Sequence, residues 1–161
     1  MSSERKPIFV VRGGKDGEWE GIALGQGRAI MEWDRLPDLS TVRTRYELRS
    51  TYVEIYGEEP VGGVENRVGQ IWVFLREMGV GDNVVLPLKT QRAVALGRVR
   101  SDYRFTEFSY PRHWREVEWV KILPRSSFDS GTLRSFGNTQ SIYKIKKKSA
   151  ERDILDKMLE E

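Results

Sequence analysis

The amino-acid sequence predicts an α+β domain: a small, partly open mixed β-barrel flanked by two main helices, with a short C-terminal helix. Three observations carry this. Apolar, β-branched runs gather in both halves of the 161-residue chain, with two helix-period segments between them. Hydrophobic residues are 39% and charged residues 32%, enough apolar material for one core and too much for a disordered chain. Strands from both halves must meet in one sheet if the helices between them are to share a core.

Residues 7–12 (PIFVVR) read as the first strand and 13–17 (GGKDG) as a turn. Two short apolar runs follow, Ile22-Ala23-Leu24 and Ala29-Ile30-Met31, split by Gly25-Gln26-Gly27. They suit either two strands or a helical turn and a strand. A helix is expected from Ser40 or Thr41 to about Tyr56, because Leu48, Tyr52, Ile55 and Tyr56 share one face and Gly57 follows as a stop. The second helix, 64–78, carries the stripe Val64, Val68, Ile71, Trp72, Leu75 and Met78, which places Trp72 in the core. Strands are expected over 83–88, 93–99, 115–123 and 141–146, with 104–114 as an aromatic and basic loop. In 115–123 the apolar alternation switches from Val117 and Trp119 to Val120 and Ile122, which points to a bulge or a strand end. Residues 1–146 are expected to form the domain, and 147–161 a basic linker and short amphipathic helix.

Composition removes several classes of chemistry. Without cysteine there is no disulfide, no thiolate nucleophile and no Cys-based zinc site, and His113 is the single histidine. No metal site and no cofactor are expected. The first residues lack the apolar core of a signal peptide, and no run approaches a membrane span, so the cytoplasm is the expected location and no membrane partner is expected. Net charge is only +3, so any basic surface must come from local clustering. A metal-dependent nuclease would use Pro37-Asp38 with Glu118 and Lys121, but in a regular strand those two side chains point to opposite faces. No catalytic residue is assigned, and any cutting activity is expected in a separate nuclease domain or subunit reached through the C-terminal linker.

What stands out is aromatic residues mixed with positive charge. Trp19, Trp33, Trp114, Trp119, Tyr103, Phe105, Phe108 and Tyr110 share loops and strand ends with a set of arginines and lysines. Flat apolar faces stack bases and guanidinium groups hold phosphates. The bland reading is that the aromatics are core and the charges a solvated shell.

The stretch 74–105, with Gly81-Asp82, Pro87-Leu88-Lys89-Thr90, Gly97-Arg98-Val99 and Tyr103, resembles the central block of EVE-type domains in the PUA superfamily. Val11-Arg12-Gly13-Gly14, Glu32-Trp33-Asp34, Asp38-Leu39, Gly69-Gln70, the segment from His113 to Trp119, Arg125 with Phe128, and Gly137 to Tyr143 are similar to the N-terminal domain of predicted Mrr-type restriction proteins. The likeness spans residues 8–146. It implies a PUA/EVE-like, YTH-related barrel that takes a flipped, modified base into an aromatic cage, as the recognition part of a restriction or defence system. On that reading the base pocket comprises Trp33, Leu86, Pro87, Leu88, Lys89, Thr90, Tyr103, Trp119 and Asn138. Arg12, Gly13, Gly14 and Lys15, with Arg92, Arg104, Arg112, His113 and Arg115, are expected on the sugar-phosphate chain. DNA is the expected partner ahead of RNA. An RNA-binding EVE/PUA-like module and an ASCH-like small-molecule or nucleotide enzyme remain open alternatives.

Overall fold

The computed structural model describes residues 6–58 and 62–160, which form seven strands and five α-helices. The first strand, β1 (Ile8–Val11), has neighbours on both edges and is buried along its whole length, with a core against each face. β3 (Asn83–Pro87) runs parallel to it and β7 (Ile142–Lys144) antiparallel. β3 pairs with β4 (Ala93–Val99), β4 with the long β6 (His113–Pro124), and β6 with β2 (Arg28–Met31). The two-residue β5 (Arg104–Phe105) also pairs with the start of β6. The order β2-β6-β4-β3-β1-β7 curls into a half-barrel, consistent with the predicted mixed α+β class.

Strand alternation sorts side chains onto two faces. Phe9 and Val11 join one core with residues of α2 (Arg45–Tyr56) and α3 (Gly63–Trp72), whereas Ile8 and Val10 join a second core. That second core is closed by Phe128 and Phe136 at the ends of the α4 segment (Ser130–Ser135) and by α5 (Lys148–Leu159). A third cluster seats α1 (Glu20–Gln26) against Leu86, Leu88 and Ala95. Of the two arrangements open for residues 20–33, the chain therefore takes the helical turn followed by a strand.

α2 begins at Arg45, later than Ser40 or Thr41. Thr44 forms a capping box: its hydroxyl accepts the Glu47 amide at 3.1 Å and the Glu47 carboxylate accepts the Thr44 amide at 2.9 Å. The predicted second helix is present as α3 followed by a π turn, Val73–Glu77, closed by the Met78 amide on the Val73 carbonyl. Its buried stripe runs through Val64, Val68, Ile71, Phe74 and Met78, while Trp72 and Leu75 are half-buried against the same core. Phe74 thus takes the deep place expected for Leu75, and Trp72 is a flank of the core rather than its centre.

The break in alternation in β6 is a bulge. Leu96 pairs with Lys121 and Gly97 with Trp119, so Val120 has no partner. Gly97 makes room for it: a β-carbon there would lie 2.6 Å from the Glu118 carbonyl and 2.8 Å from the Trp119 ring. The bulge corrects the expectation that Glu118 and Lys121 face apart. Glu118 stands opposite Arg98 and Lys121 opposite Leu96, two rungs apart on one strand, so both point to the same face. Each is engaged elsewhere: Glu118 pairs with Arg100, and the Lys121 ammonium donates to the carbonyls of Lys157, at 2.6 Å, and Glu160.

The C-terminal helix packs on the domain. Ala150, Ile154 and Met158 are buried in the second core, and Asp153 accepts hydrogen bonds from the Thr132 hydroxyl at 2.7 Å and the Asp129 amide at 3.0 Å. The short amphipathic helix expected within 147–161 is thus present as α5 and packs against the second core. Among the described residues no group of three His, Cys, Asp or Glu is placed to hold a metal ion, and no helix is long and apolar enough to cross a membrane.

Candidate functional site

A cleft of about 700 Å³ opens where three segments meet: the turn after β1, the turn after β3, and the stretch leading into β7. The turn after β1 is tightly folded. Gly14 adopts φ 95°, a left-handed conformation that side chains disfavour, and the Gly13 carbonyl accepts the Trp19 amide at 2.8 Å. This turn presents Arg12, Gly14 and Lys15 to the cleft. The turn after β3 presents Pro87, Leu88 and Lys89.

Glu20 fixes the second turn. Its buried carboxylate accepts the Lys89 amide at 2.7 Å, the Thr90 amide at 3.1 Å and the Thr90 hydroxyl at 2.6 Å. A charged acceptor satisfying two loop amides is a strong local anchor. It explains why a glutamate sits at the start of a short helix with almost no exposure.

The third wall, Phe136–Ser141, is held at both ends. The Arg12 guanidinium donates to the carbonyls of Phe136 and, at 3.4 Å, Asn138. Ser141 is tied three ways: its amide donates to Gln70 Oε1 at 2.8 Å, its hydroxyl to Glu32 at 2.8 Å, and its carbonyl accepts the Arg12 amide at 2.9 Å. Gln70 also accepts the Ile142 amide at 3.2 Å. Between these anchors Asn138 Oδ1 accepts the Gln140 amide at 2.9 Å, which fixes the turn itself.

The resulting lining is strongly cationic. Arg12, Lys15, Lys89 and Arg125 face it, against the single carboxylate of Glu32. Nearby, hydrogen bonds from backbone amides, first its own and then that of Asp16, hold the Glu18 carboxylate below its ordinary pKa, with Lys15 and Lys89 acting in the same direction. Pro87, Leu88 and Phe136 also line the cleft, but all three are buried and form its floor. Basic groups gathered over a small apolar floor suit a ligand that carries a phosphate.

Of the residues expected in a base pocket, the cleft gathers Pro87, Leu88, Lys89 and Asn138; of those expected on phosphates, it gathers Arg12, Gly14 and Lys15. Leu86 is buried beneath it in the third cluster, and Thr90 is turned to Glu20. Trp33, Tyr103 and Trp119 do not line it. All three pack against the first core, with Trp119 Nε1 donating to the Ala23 carbonyl at 2.8 Å and Tyr103 Oη accepting the Leu39 amide at 3.2 Å. Arg92 and Arg104 are exposed elsewhere, and Arg112 lies over the Phe105 and Tyr110 rings and donates to the Asp34 carbonyl at 3.0 Å.

Two expected phosphate contacts are overturned. His113 is completely buried, with Nε2 on the Leu36 carbonyl and Nδ1 on the Tyr103 hydroxyl. Arg115 is 1% exposed and spends its guanidinium on main-chain carbonyls: Ser101 from Nε at 3.0 Å and Nη2 at 2.9 Å, and Phe74 at 2.9 Å and Met78 at 2.5 Å from Nη1. Burial pulls its pKa below the ordinary arginine value. The Phe74 and Met78 carbonyls belong to a helix end that lacks further partners, and a cation is the natural group to close it. Both residues sit in β6 with side chains facing the core, which a polar stretch of sequence conceals.

Glu32, Arg125, Phe136, Gly137, Thr139 and Ser141 also line the cleft, and sequence reasoning gave none of them a place in the site. Glu32, Arg125 and the Gly137–Tyr143 stretch belong to the motifs quoted above, so order along the chain was the available signal.

Residues 10–146 match the family described as a domain of unknown function, DUF8426. The chain belongs to that family. No curated protein matches it. The match begins in β1 and ends just after β7, so every segment that lines the cleft lies inside the DUF8426 domain.

Proposed function

We propose that this DUF8426 domain is a nucleic-acid-binding module that holds one nucleotide in the cleft, as the recognition element of a system that reads a modified base in DNA. The observation that carries the reading is the lining itself: four cationic side chains from three separate chain segments converge on a cleft floored by the buried Pro87, Leu88 and Phe136. The cations serve the phosphates, and the apolar floor lies against the base and any added methyl. Lys15, Lys89, Asn138 and Thr139 are exposed at the rim, which suits a polymer passing over the mouth better than a metabolite sealed inside. The curled sheet with helices on both faces is consistent with a PUA/EVE-like barrel, the fold that the sequence resemblance implies. Trp33, Tyr103 and Trp119 do not wall the proposed pocket, and Phe136, the aromatic residue that lines it, is itself buried in the second core.

The proposal assigns no chemistry to the domain itself. Glu118 and Lys121 are engaged by Arg100 and by the end of α5, and His113 is buried and neutral. The test is binding of matched modified and unmodified DNA and RNA oligonucleotides at stated salt. DNA should bind, and the methylated strand should bind tighter by no more than about 1–3 kcal/mol, the range one methyl supplies in a pocket. Absence of binding to every nucleic acid at low salt would overturn the reading.

A further inference from the structure

A second cleft, of about 770 Å³, lies on the other side of the Phe136–Ser141 stretch, between α3 and β7. Gly137 and Asn138 line both clefts, so they form a bridge between them. Four more cations face this second space: Arg45, Arg134, Lys144 and Lys146. None of the four is in an ion pair among the described residues. Two carboxylates also line it, but Glu65 is already paired with Arg49 at 2.6 Å, which leaves Glu77.

We infer that the second cleft is the path of the flanking strand: a single-stranded segment whose nucleotide sits in the first cleft crosses the Gly137–Asn138 bridge and continues over Arg45, Lys144 and Lys146. This rests on the nucleic-acid reading of the first cleft. The geometry favours a nucleic acid over a peptide adding to the free edge of β7. Gln70 already occupies the Ser141 and Ile142 amides, so the start of that edge is closed to a new strand. The bridge is anchored by Arg12, Ser141 and the Asn138 turn, so the two clefts keep a fixed spacing, as a chain of regularly spaced phosphates requires.

The experiment uses the whole chain and fluorescein-labelled mixed-sequence DNA single strands of about three and about ten nucleotides, a range that brackets the footprint of small single-strand-binding folds. The variant Arg45→Ala/Lys144→Ala/Lys146→Ala alters exposed side chains, and a thermal melt checks its fold. The short strand should bind the variant as it binds the wild type. The long strand should bind more weakly, with a salt slope shallower by about 0.7 for each phosphate that is no longer neutralised. Unchanged affinity and slope for the long strand would overturn the path, and so would equal weakening at both lengths, which marks a diffuse field. If wild-type protein binds neither strand, the reading of the first cleft falls as well. If a glutamate-rich peptide binds in a manner the triple variant abolishes while long-strand DNA binding is unaffected, the groove takes acidic peptides and the inference is wrong.

Discussion

Tyr103 Oη stands 2.6 Å from His113 Nδ1, with the hydroxyl donating and the imidazole accepting. The other ring nitrogen sets this direction, because Nε2 lies 3.1 Å from the Leu36 carbonyl, which can only accept. The pair ties the start of β6 to the segment between β2 and α2 and keeps the ring neutral. Burial pushes the His113 pKa down to about 4 and raises that of Tyr103 above its ordinary value.

This gives a pH dependence with a defined sign. The folded His113 pKa lies below the unfolded value of about 6.5, so on acidification the unfolded chain takes up the proton first. The contribution is complete above about pH 6.5 and is lost as pH falls toward the folded value of about 4, a change of about 3 kcal/mol. Urea unfolding at about pH 7 and about pH 4.5 should show the loss in wild type and much less of it in His113→Gln. Parallel pH profiles for the two proteins would rule out the imidazole as its source.

Arg115→Ala should be among the most destabilising single changes in the chain, by about 3 kcal/mol or more, since it strands the buried carbonyls of Ser101, Phe74 and Met78. Arg115→Lys should rescue little of this, because an ammonium cannot reproduce the planar fork. Denaturant midpoints measure both, and a Lys variant as stable as wild type would contradict the role given to the fork.

Glu20→Gln should loosen the turn after β3. The carboxylate accepts three hydrogen bonds there, and removing its charge weakens all of them, for a loss of about 1.5–3 kcal/mol. Amide exchange at Lys89 and Thr90 should speed up before the rest of the sheet is affected. Unchanged protection at both amides would show that the turn holds itself.

Lys15→Ala and Lys89→Ala change exposed cations from two different turns that line the first cleft. Each should weaken duplex binding about equally for all sequences and flatten the salt slope by about 0.9. Trp33→Ala, by contrast, should act through stability, since Trp33 is half-buried against the first core and lines neither cleft. A Trp33 variant with normal stability and lost binding would reverse that division.

Local features of the fold are legible where local physics decides them. The buried run of β1, the face of α2 around Leu48 and Tyr52, and the break at Val120 all follow from periodicity. The start of α2 is written in Thr44-x-x-Glu47, although Ser40 and Thr41 draw the boundary too early. The cleft is half legible, since Arg12, Lys15, Lys89 and Asn138 stand in turn-rich segments. What cannot be read is which polar groups are spent inside. His113 reads as a loop residue and Arg115 as the outer end of a strand until the pairing of β6 with β2 turns both inward, and Glu20 meets Thr90 only once α1 packs under the sheet. The aromatic cage fails for a related reason: Trp33, Tyr103 and Trp119 contribute more as packing against the first core than they could at an open rim.

The placement of β1 bears on how the chain assembles. It precedes the other described strands in the sequence, yet its edges wait for β3 and for β7, which lie far downstream. Such pairing closes long loops before any contact rewards them, so folding should be slow for the chain's size. Until then Ile8-Phe9-Val10-Val11 is a bare apolar strand, and a nascent or truncated chain that stops short of β7 leaves one of its edges open as an adhesive seam.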